Sequence, residues 1–355
     1  MELKHGAHLA YCTNVHRGRN WAETLDSLRR YTLAVRDRVR PKGRFGIGLR
    51  LSGLAARELA DKKALLRFQR WLEKNGCYVF TINGFPYGRF HGAPVKEKVY
   101  LPDWTRPERL AYTNLLFDLL ARLVPDGVPG SVSTLPGGFK KFVARAAPQK
   151  AIRQNLWRCV GHVSRLAEQS GKMLALGLEP EPLCLLENSA GTISFLNRMR
   201  EERKNDPRLE QFLGVNYDCC HFAVEFEEAG TALGSFQKAG VRITKIHLSS
   251  ALRTPATAEA RAALKKFADK VYLHQVIARD AKGRLTFFRD LPDALNAKIE
   301  AAAEPPEWRV HFHVPLHAPA IAPFQNTGDH LSGALDWAGN HPQACPHLEM
   351  ETYTW

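Results

Sequence analysis

The chain has 355 residues, of which 45% are hydrophobic and 24% charged, and its formal net charge is +14. This composition excludes a disordered or fibrous protein and allows a large core without covalent staples. Its seven cysteines are scattered and contain no CxxC pair, which argues against a disulfide framework and a thiolate zinc site. We expect a cytoplasmic protein without membrane insertion, because the sequence shows no signal peptide and no apolar run of roughly 20 residues.

The positive charge is concentrated at the start of the chain. Residues 1–70 contain 16 Lys and Arg but only 6 Asp and Glu. One interpretation is a docking surface for phosphate, nucleic acid or an anionic membrane. We favour the other, a solvated basic helical face, because such charge affects solubility and steering rather than fold.

In chain order, short apolar strands alternate with amphipathic helices. This alternation predicts a parallel sheet, and eight strands predict an α/β protein with a (β/α)8 TIM barrel as a single domain over residues 1–355. A doubly wound open sheet is the structural alternative. Strands are predicted to begin at His8, Phe45, Tyr78, Ser131, Met173, Phe212, Val241 and His347, with helices over 20–40, 54–75, 107–124, 147–169, 191–202 and 223–239.

The alternation is interrupted between strands seven and eight. Residues 254–306 combine an Ala-rich helix, a hairpin-like pair of strands and a short helix. We interpret this segment as an insertion on the C-terminal face of the barrel. The sequence has no eighth helix, so we expect insertion elements or a partner subunit to cover the gap between the last and first strands, which favours a homodimer.

Acidic and imidazole side chains mark the C-terminal ends of four predicted strands. In a barrel these ends converge on one pocket. Carboxylates with one imidazole suit Mn²⁺, Mg²⁺ or Zn²⁺, so the pattern predicts a divalent metal site. The sequence leaves open whether Glu179 or Glu181 binds the metal, and likewise whether Glu349 or Glu351 does. The candidate ligands are Glu179, Glu181, Asp218, His247 and Glu351.

Several motifs resemble those of the xylose isomerase-like barrel superfamily, which includes sugar isomerases, ketose 3-epimerases and apurinic endonucleases. Within it, the chain is most similar to EboE-type metabolite traffic proteins, over nearly its whole length. The resemblance implies the barrel and the metal site, but no established reaction. The motifs that carry it are HLAYCTN, GLEPEP, DCCH, IHLSSA and HLEMETYTW.

The resemblance to the ketose 3-epimerases implies roles for individual residues. Their metal-bound glutamates from strands five and eight exchange a proton at the carbon beside a carbonyl. Carried over, this implies Glu179 or Glu181 together with Glu351 as the acid/base pair, and we choose Glu181 and Glu351. The same comparison implies substrate contacts for His221, Arg253 and Glu187. Phe85 is a further substrate candidate, because it lies in an aromatic loop suited to a ligand.

The histidines of RVHFHV depart from the epimerase pattern. His311 and His313 lie on one face if the segment is extended. They resemble the Asp-x-His of apurinic endonucleases, which bind three zinc ions, and this implies His311 as a metal ligand and His313 as a substrate contact. Those enzymes also need His on strands three and four, where this chain has residues 83–85 (NGF) and 134–136 (TLP). We therefore expect neither three zinc ions nor a nucleic-acid partner.

Three functions are compatible with these patterns. The leading hypothesis is an isomerase or epimerase that moves a proton on a small polyol, cyclitol or sugar-like metabolite. The second is a non-catalytic carrier with the same pocket, and the third is an apurinic endonuclease-like repair enzyme. Metal content, solvent deuterium exchange and cleavage of abasic DNA distinguish them.

Overall fold

Eight parallel strands close into a barrel in the computed structural model, which describes residues 1–88, 96–204, 206–298, 304–317 and 319–353. The eight predicted strand positions and the barrel are confirmed. The described strands are β1 (His8–Cys12), β2 (Phe45–Arg50), β3 (Cys77–Asn83), β4 (Gly130–Thr134), β5 (Leu174–Leu178), β6 (Leu213–Asp218), β7 (Arg242–Leu248), β8 (Leu252–Pro255), β9 (Val276–Arg279), β10 (Leu285–Phe288), β11 (Glu307–Val310), β12 (Gln325–Asn326) and β13 (His347–Met350). Around the barrel the order is β1-β13-β7-β6-β5-β4-β3-β2.

Helices follow most barrel strands. The described α-helices are α1 (Trp21–Ser27), α2 (Leu33–Val39), α3 (Gly53–Leu59), α4 (Lys62–Lys74), α5 (Pro107–Leu123), α6 (Lys140–Val143), α7 (Ala146–Ser170), α8 (Ser189–Glu202), α9 (Arg208–Phe212), α10 (Cys219–Val224), α11 (Ala229–Lys238), α12 (Ala258–Leu264), α13 (Leu291–Asn296) and α14 (Gly328–Asn340). No helix in this part of the chain is long and apolar enough to cross a membrane.

Capping side chains set several helix starts. Asn20 accepts the Glu23 N–H at 2.8 Å and so caps α1, and a π turn at Leu28–Thr32 joins α1 to α2. The helix predicted over 54–75 is two helices instead. The first ends at Leu59, and Asp61 caps the second by accepting the Ala64 N–H at 2.9 Å.

Polar side chains occupy much of the barrel interior. Successive strand residues point to opposite faces, so the apolar residues of each strand pack outward against the helices. The inward positions of β3, β4, β7 and β13 instead bring together Asn83, Ser133, Lys245 and Glu349, each at most 2% exposed. In this layer, charged and polar side chains replace the usual apolar filling of a TIM barrel.

A second, antiparallel sheet lies between β7 and β13 in the chain, in the order β10-β9-β11-β8-β12. It contains the predicted hairpin, β9 and β10. It also takes in β8 and β11, and so extends beyond the predicted 254–306 on both sides. Residues 299–303 of that predicted insertion lie outside the described residues. The sheet has its own apolar cluster around Trp308 and Val310, both fully buried.

β1 pairs directly with β13, from His8 opposite His347 to Tyr11 opposite Met350. This pairing closes the barrel without an additional element. Between β13 and residue 353, the last described position, the chain forms no helix.

Candidate metal centre

Four side chains converge where β5, β6, β7 and β13 end. Glu179, Asp218, His247 and Glu351 each offer one ligand atom, and these atoms lie within 4.8 Å of one another. The side chains of Asp218, His247 and Glu351 are at most 3% exposed, and that of Glu179 is 12% exposed. The predicted convergence of strand ends therefore brings together one carboxylate from each ambiguous pair.

The Nδ1 atom of His247 faces three carboxylate oxygens. Oε2 of Glu351 lies at 2.8 Å, Oε1 of Glu179 at 2.9 Å and Oδ2 of Asp218 at 3.4 Å. One ring nitrogen carries at most one hydrogen and cannot bond to all three. Within the described residues, Oδ2 of Asp218 and Oε2 of Glu351 have no hydrogen-bond partner. Three carboxylates and one imidazole nitrogen fit Mn²⁺, Mg²⁺ or Zn²⁺, which would satisfy these lone pairs.

The outer oxygens of the same carboxylates are held by donors. Oε1 of Glu351 accepts hydrogen bonds from Asn14 Nδ2 at 2.8 Å and the Tyr353 hydroxyl at 2.7 Å. Oδ1 of Asp218 accepts from Ser249 Oγ at 2.8 Å and from the His221 N–H at 3.0 Å. Each carboxylate is thus oriented by one oxygen and presents the other to the centre.

Electrostatics keeps Asp218 ionised and His247 protonated in the absence of an ion. Burial raises the pKa of Asp218, but the imidazoles of His221 and His313 outweigh it and hold that pKa well below the usual range. Burial lowers the pKa of His247, but the carboxylates of Glu351 and Glu179 outweigh it and raise that pKa. The carboxylates around this point therefore stabilise a positive charge there.

Glu349 lies one layer below the centre. Its Oε2 is 2.5 Å from Lys245 Nζ and 3.1 Å from His247 Nε2. Burial raises the pKa of Glu349, but Lys245 outweighs this and keeps it well below its usual value. Of the two glutamates at the end of β13, Glu351 is therefore the one that lies at the metal centre.

Glu181 lies beyond the end of β5, beside the centre rather than in it. Its Oε1 accepts a hydrogen bond from the Tyr100 hydroxyl at 2.6 Å and one from Gln275 Nε2 at 3.3 Å. His311 Nδ1 is 3.6 Å from the same oxygen. Burial raises the pKa of Glu181 above its usual value. A buried carboxyl with a raised pKa has the properties of a general acid or base.

Three histidines form a second group next to Glu181. His311 and His313 place their Nε2 atoms 3.2 Å apart, and the rings of His221 and His311 are 4.6 Å apart. His221 donates its Nδ1–H to the Pro180 carbonyl at 2.9 Å, which leaves its Nε2 toward the group. Burial lowers the pKa values of His311 and His313, so both rings are neutral near pH 7. Glu181, His221 and His311 also have ligand atoms within 4.8 Å of one another.

A cavity of about 500 Å³ opens above these groups. The barrel contributes its charged floor, and the segment that carries the second sheet contributes an aromatic side. Phe85 lines the cavity as predicted and stacks on Tyr100 with ring centroids 5.6 Å apart. Other residues that line the cavity include Asn14, Glu179, Glu181, His221, Phe267, Leu273, His274, His311, Phe312, His313, Glu351 and Tyr353.

Two predicted substrate residues lie outside the cavity lining. Arg253 is on β8, where its guanidinium pairs with Asp329 at 2.8 Å. Glu187 accepts the Leu183 N–H at 2.8 Å and pairs with Lys140, so it holds the turn after β5. Both predictions relied on the resemblance to the ketose 3-epimerases, and the local chain path takes each side chain away from the cavity lining.

Sequence reasoning missed several residues of the site. Tyr100 and Gln275 come from segments with no recognisable motif, so no signal marked them. Lys245 carried a signal, because a lysine two residues before His247 in an apolar strand must share its inward face. Asn14 and Tyr353 lie just beyond the ends of β1 and β13, where the barrel itself marks a residue as a candidate.

This chain is similar to known proteins in its three-dimensional structure but not detectably in its sequence. No protein-family model matches the chain, and no curated protein matches it. Solved structures that resemble it include a probable 3-DHS dehydratase involved in petrobactin synthesis from Bacillus anthracis (13% identity, 98% of this chain and 93% of that one, TM-score 0.44). Another is D-psicose 3-epimerase with D-tagatose from Clostridium cellulolyticum H10 (12% identity, 75% and 83%, TM-score 0.42).

A further structure matches over the whole chain. It is a xylose isomerase-like TIM barrel protein from Mycobacterium smegmatis in complex with magnesium, at 12% identity, covering 100% of this chain and 93% of that one with a TM-score of 0.53. At this identity the likeness concerns the fold alone. With the closed eight-stranded barrel, it shows that this chain has the xylose isomerase-like TIM barrel fold.

Proposed function

We propose that this protein is a divalent-metal-dependent isomerase or epimerase that moves a proton beside a carbonyl in a small polyol or sugar-like substrate. The observation that carries the proposal is the convergence of Glu179, Asp218, His247 and Glu351 beside the buried acid Glu181. These four residues would hold the ion. When bound, the ion would supply Lewis-acid polarisation of a substrate oxygen.

Glu181 and Glu351 are the proposed acid/base pair. Both line the cavity, and they belong to different strand ends. Tyr100 and Gln275 orient the Glu181 carboxyl, and burial raises its pKa toward the range useful for proton transfer at neutral pH. Asn14 and Tyr353 hold one oxygen of Glu351, so its other oxygen has a fixed direction.

The rest of the lining suits a neutral, hydroxylated substrate. The neutral rings of His311 and His313 and the Nε2 atom of His221 offer hydrogen bonds to hydroxyl groups. Phe85, which is partly exposed and stacks on the buried Tyr100 ring, presents apolar surface that suits the C–H face of a ring. Three carboxylates on the floor disfavour an anionic group there.

Exchange of solvent deuterium tests the proposal. Mn²⁺- or Mg²⁺-loaded protein is incubated in D₂O with a panel of aldoses, ketoses and oxidised cyclitols, and proton NMR follows the carbon beside the carbonyl. We expect exchange into at least one substrate and a loss of about 100-fold or more in Glu181→Gln, the range for removing a general acid or base. Glu259→Gln, an exposed glutamate on α12, is the matched control.

A carrier gives a different result in the same experiment. Ligand binding to metal-loaded protein without any deuterium exchange would favour a non-catalytic carrier over the enzyme. An apurinic endonuclease is disfavoured. The end of β3, where those enzymes need His, carries the amide Asn83, whose Nδ2 donates to Glu349 at 2.8 Å.

A further inference from the structure

A closed network of charged and polar groups lies directly beneath the metal centre. Lys245 Nζ is 2.5 Å from Glu349 Oε2 and 2.6 Å from Asn83 Oδ1. Asn83 in turn donates its Nδ2–H to Glu349 Oε1 at 2.8 Å, and Ser133 Oγ donates to Asn83 Oδ1 at 2.9 Å. Lys245 and Glu349 are both fully buried. The Glu349 carboxylate therefore has a single fixed position.

That position determines which nitrogen of His247 carries hydrogen. Glu349 Oε2 lies 3.1 Å from His247 Nε2. A carboxylate only accepts hydrogen bonds, so Nε2 must carry a hydrogen and donate it. Nδ1 is then the atom left to bind an ion, and it is the one that faces Glu179, Asp218 and Glu351. Carboxylate partners of metal-binding imidazoles commonly fix both the ring orientation and the tautomer.

The barrel wall leaves room for this carboxylate. A Cβ added to Gly48 on β2 would lie 1.7 Å from Glu349 Oε1. Two non-bonded heavy atoms cannot approach so closely, so a side chain at residue 48 would displace the Glu349 carboxylate from its hydrogen bonds. The absence of a side chain at residue 48 is thus part of the network.

We propose that Glu349 is a positioning residue that fixes His247 with Nε2–H inward and Nδ1 toward the metal. Lys245, Asn83 and the space at Gly48 hold it in place. The role rests on the proposed metal site but not on the reaction. Lys245 also neutralises Glu349, so that the layer adds no net charge to the three carboxylates above it.

Metal affinity tests the proposal in four variants of the full chain. Glu349→Gln keeps an acceptor but loses the charge, Gly48→Ala displaces the carboxylate, and Lys245→Met/Glu349→Leu replaces the pair by apolar groups. Arg153→Met/Glu202→Leu removes a partly buried ion pair outside the barrel and serves as the control. The dissociation constants of Zn²⁺ and Mn²⁺ are measured by competition with a chelator.

We expect affinity to fall by about 10- to 100-fold in the first three variants and to stay within about twofold in the control. An unchanged affinity in Lys245→Met/Glu349→Leu, with the fold verified by circular dichroism, overturns the proposal. This double variant replaces a buried pair rather than breaking it, so it is the one expected to fold best.

Nitrogen-15 NMR of the His247 imidazole gives a readout that a merely structural role would not move. In the unmodified protein we expect Nε2 to carry a slowly exchanging hydrogen with and without Zn²⁺, and Nδ1 to shift on zinc binding. In Lys245→Met/Glu349→Leu the Nε2 hydrogen should exchange rapidly with water. A bare Nε2 in the unmodified protein overturns the proposal even if no metal binds. Protein that binds metal but exchanges no deuterium into sugars removes the proposed reaction and leaves this role intact.

Discussion

Oδ2 of Asp218 lies 3.4 Å from Nδ1 of His247 and has no hydrogen-bond partner among the described residues. Glu179 and Glu351 crowd the same nitrogen. Without an ion, three carboxylates share the charge of one imidazolium in a buried space, which is unfavourable. Metal binding would therefore reduce the electrostatic repulsion among these carboxylates in the folded state.

Metal removal should lower the melting temperature. An ion that binds only the folded state stabilises it by about 2.7 kcal/mol at a free concentration of 100 Kd. We expect added Mn²⁺ or Zn²⁺ to raise the melting temperature of chelator-treated protein, measured by differential scanning calorimetry. Asp218→Asn should lose this increase, whereas Asp126→Asn, fully exposed, should keep it. Equal increases in both variants would place the ion elsewhere.

The register of the strands decides which predicted carboxylates reach the centre. The alternation of β13 puts Glu349 and Glu351 on the same inward face but one layer apart, and no sequence pattern says which layer is the mouth. β5 ends at Leu178, so Glu179 still follows the strand direction while Glu181 turns toward Tyr100. Strand positions were predictable from hydrophobic periodicity, but the layer of each side chain depends on barrel closure.

The position of Arg253 could not be predicted, because it depends on strand pairing in the second sheet. The resemblance to the ketose 3-epimerases implied a substrate contact for this residue. β8 however leaves the barrel and pairs with β11 and β12, which carries Arg253 toward Gln325 and Asp329. Such pairings join residues far apart in the chain, and local patterns contain no information about them.

Arg253→Ala should therefore leave the site intact. Its ion pair with Asp329 is partly exposed, and such pairs contribute about 0–1 kcal/mol to stability. We expect unchanged metal affinity and unchanged binding of any sugar ligand, measured by isothermal calorimetry. His313→Ala, which alters the cavity wall, is the contrasting variant. Loss of sugar binding in Arg253→Ala would restore the role predicted from the sequence.

Trp308→Ala should unfold the second sheet selectively. Trp308 is fully buried in the separate apolar cluster of that sheet, and truncating such a side chain costs about 3–5 kcal/mol. We expect amides of β8 to β11 to lose protection from hydrogen exchange while those of β1 to β7 keep it. Phe287→Ala, an exposed aromatic on β10, is the control. Loss of protection throughout the barrel would mean that the two sheets unfold as one unit.

His330 should make the protein sensitive to acid. It donates Nδ1–H to the Glu227 carbonyl at 3.1 Å and accepts from the Tyr217 hydroxyl at 2.9 Å, and burial lowers its pKa from 6.5 to about 4. Between these values the unfolded chain binds a proton that the folded protein excludes, so stability falls as the pH drops. The contribution is about 1.4 kcal/mol per pH unit.

Urea unfolding as a function of pH measures this effect. His330→Gln should flatten the fall in unfolding free energy between pH 6.5 and about 4, and exposed His317→Gln should not. A fall as steep in His330→Gln as in the unmodified protein would assign the acid sensitivity to other groups.

Glu225 predicts the opposite pH dependence. Its side chain is buried, Oε1 has no hydrogen-bond partner among the described residues, and burial, followed by repulsion from Glu187 and Glu227, raises its pKa from 4.5 to about 8. As the pH rises between these values, the unfolded chain releases a proton that the folded protein retains. Stability should therefore fall by about 1.4 kcal/mol per pH unit and become level above the folded pKa.

Glu225→Gln should remove this loss, because the amide is neutral at every pH and close in shape. We expect the variant to be more stable than the unmodified protein above pH 8 and to converge with it below pH 4.5, measured by urea unfolding. Glu201→Gln, which changes an exposed glutamate on α8, should track the unmodified protein throughout. A Glu225→Gln variant that is less stable at high pH would show that the carboxylate is ionised and held by a favourable partner.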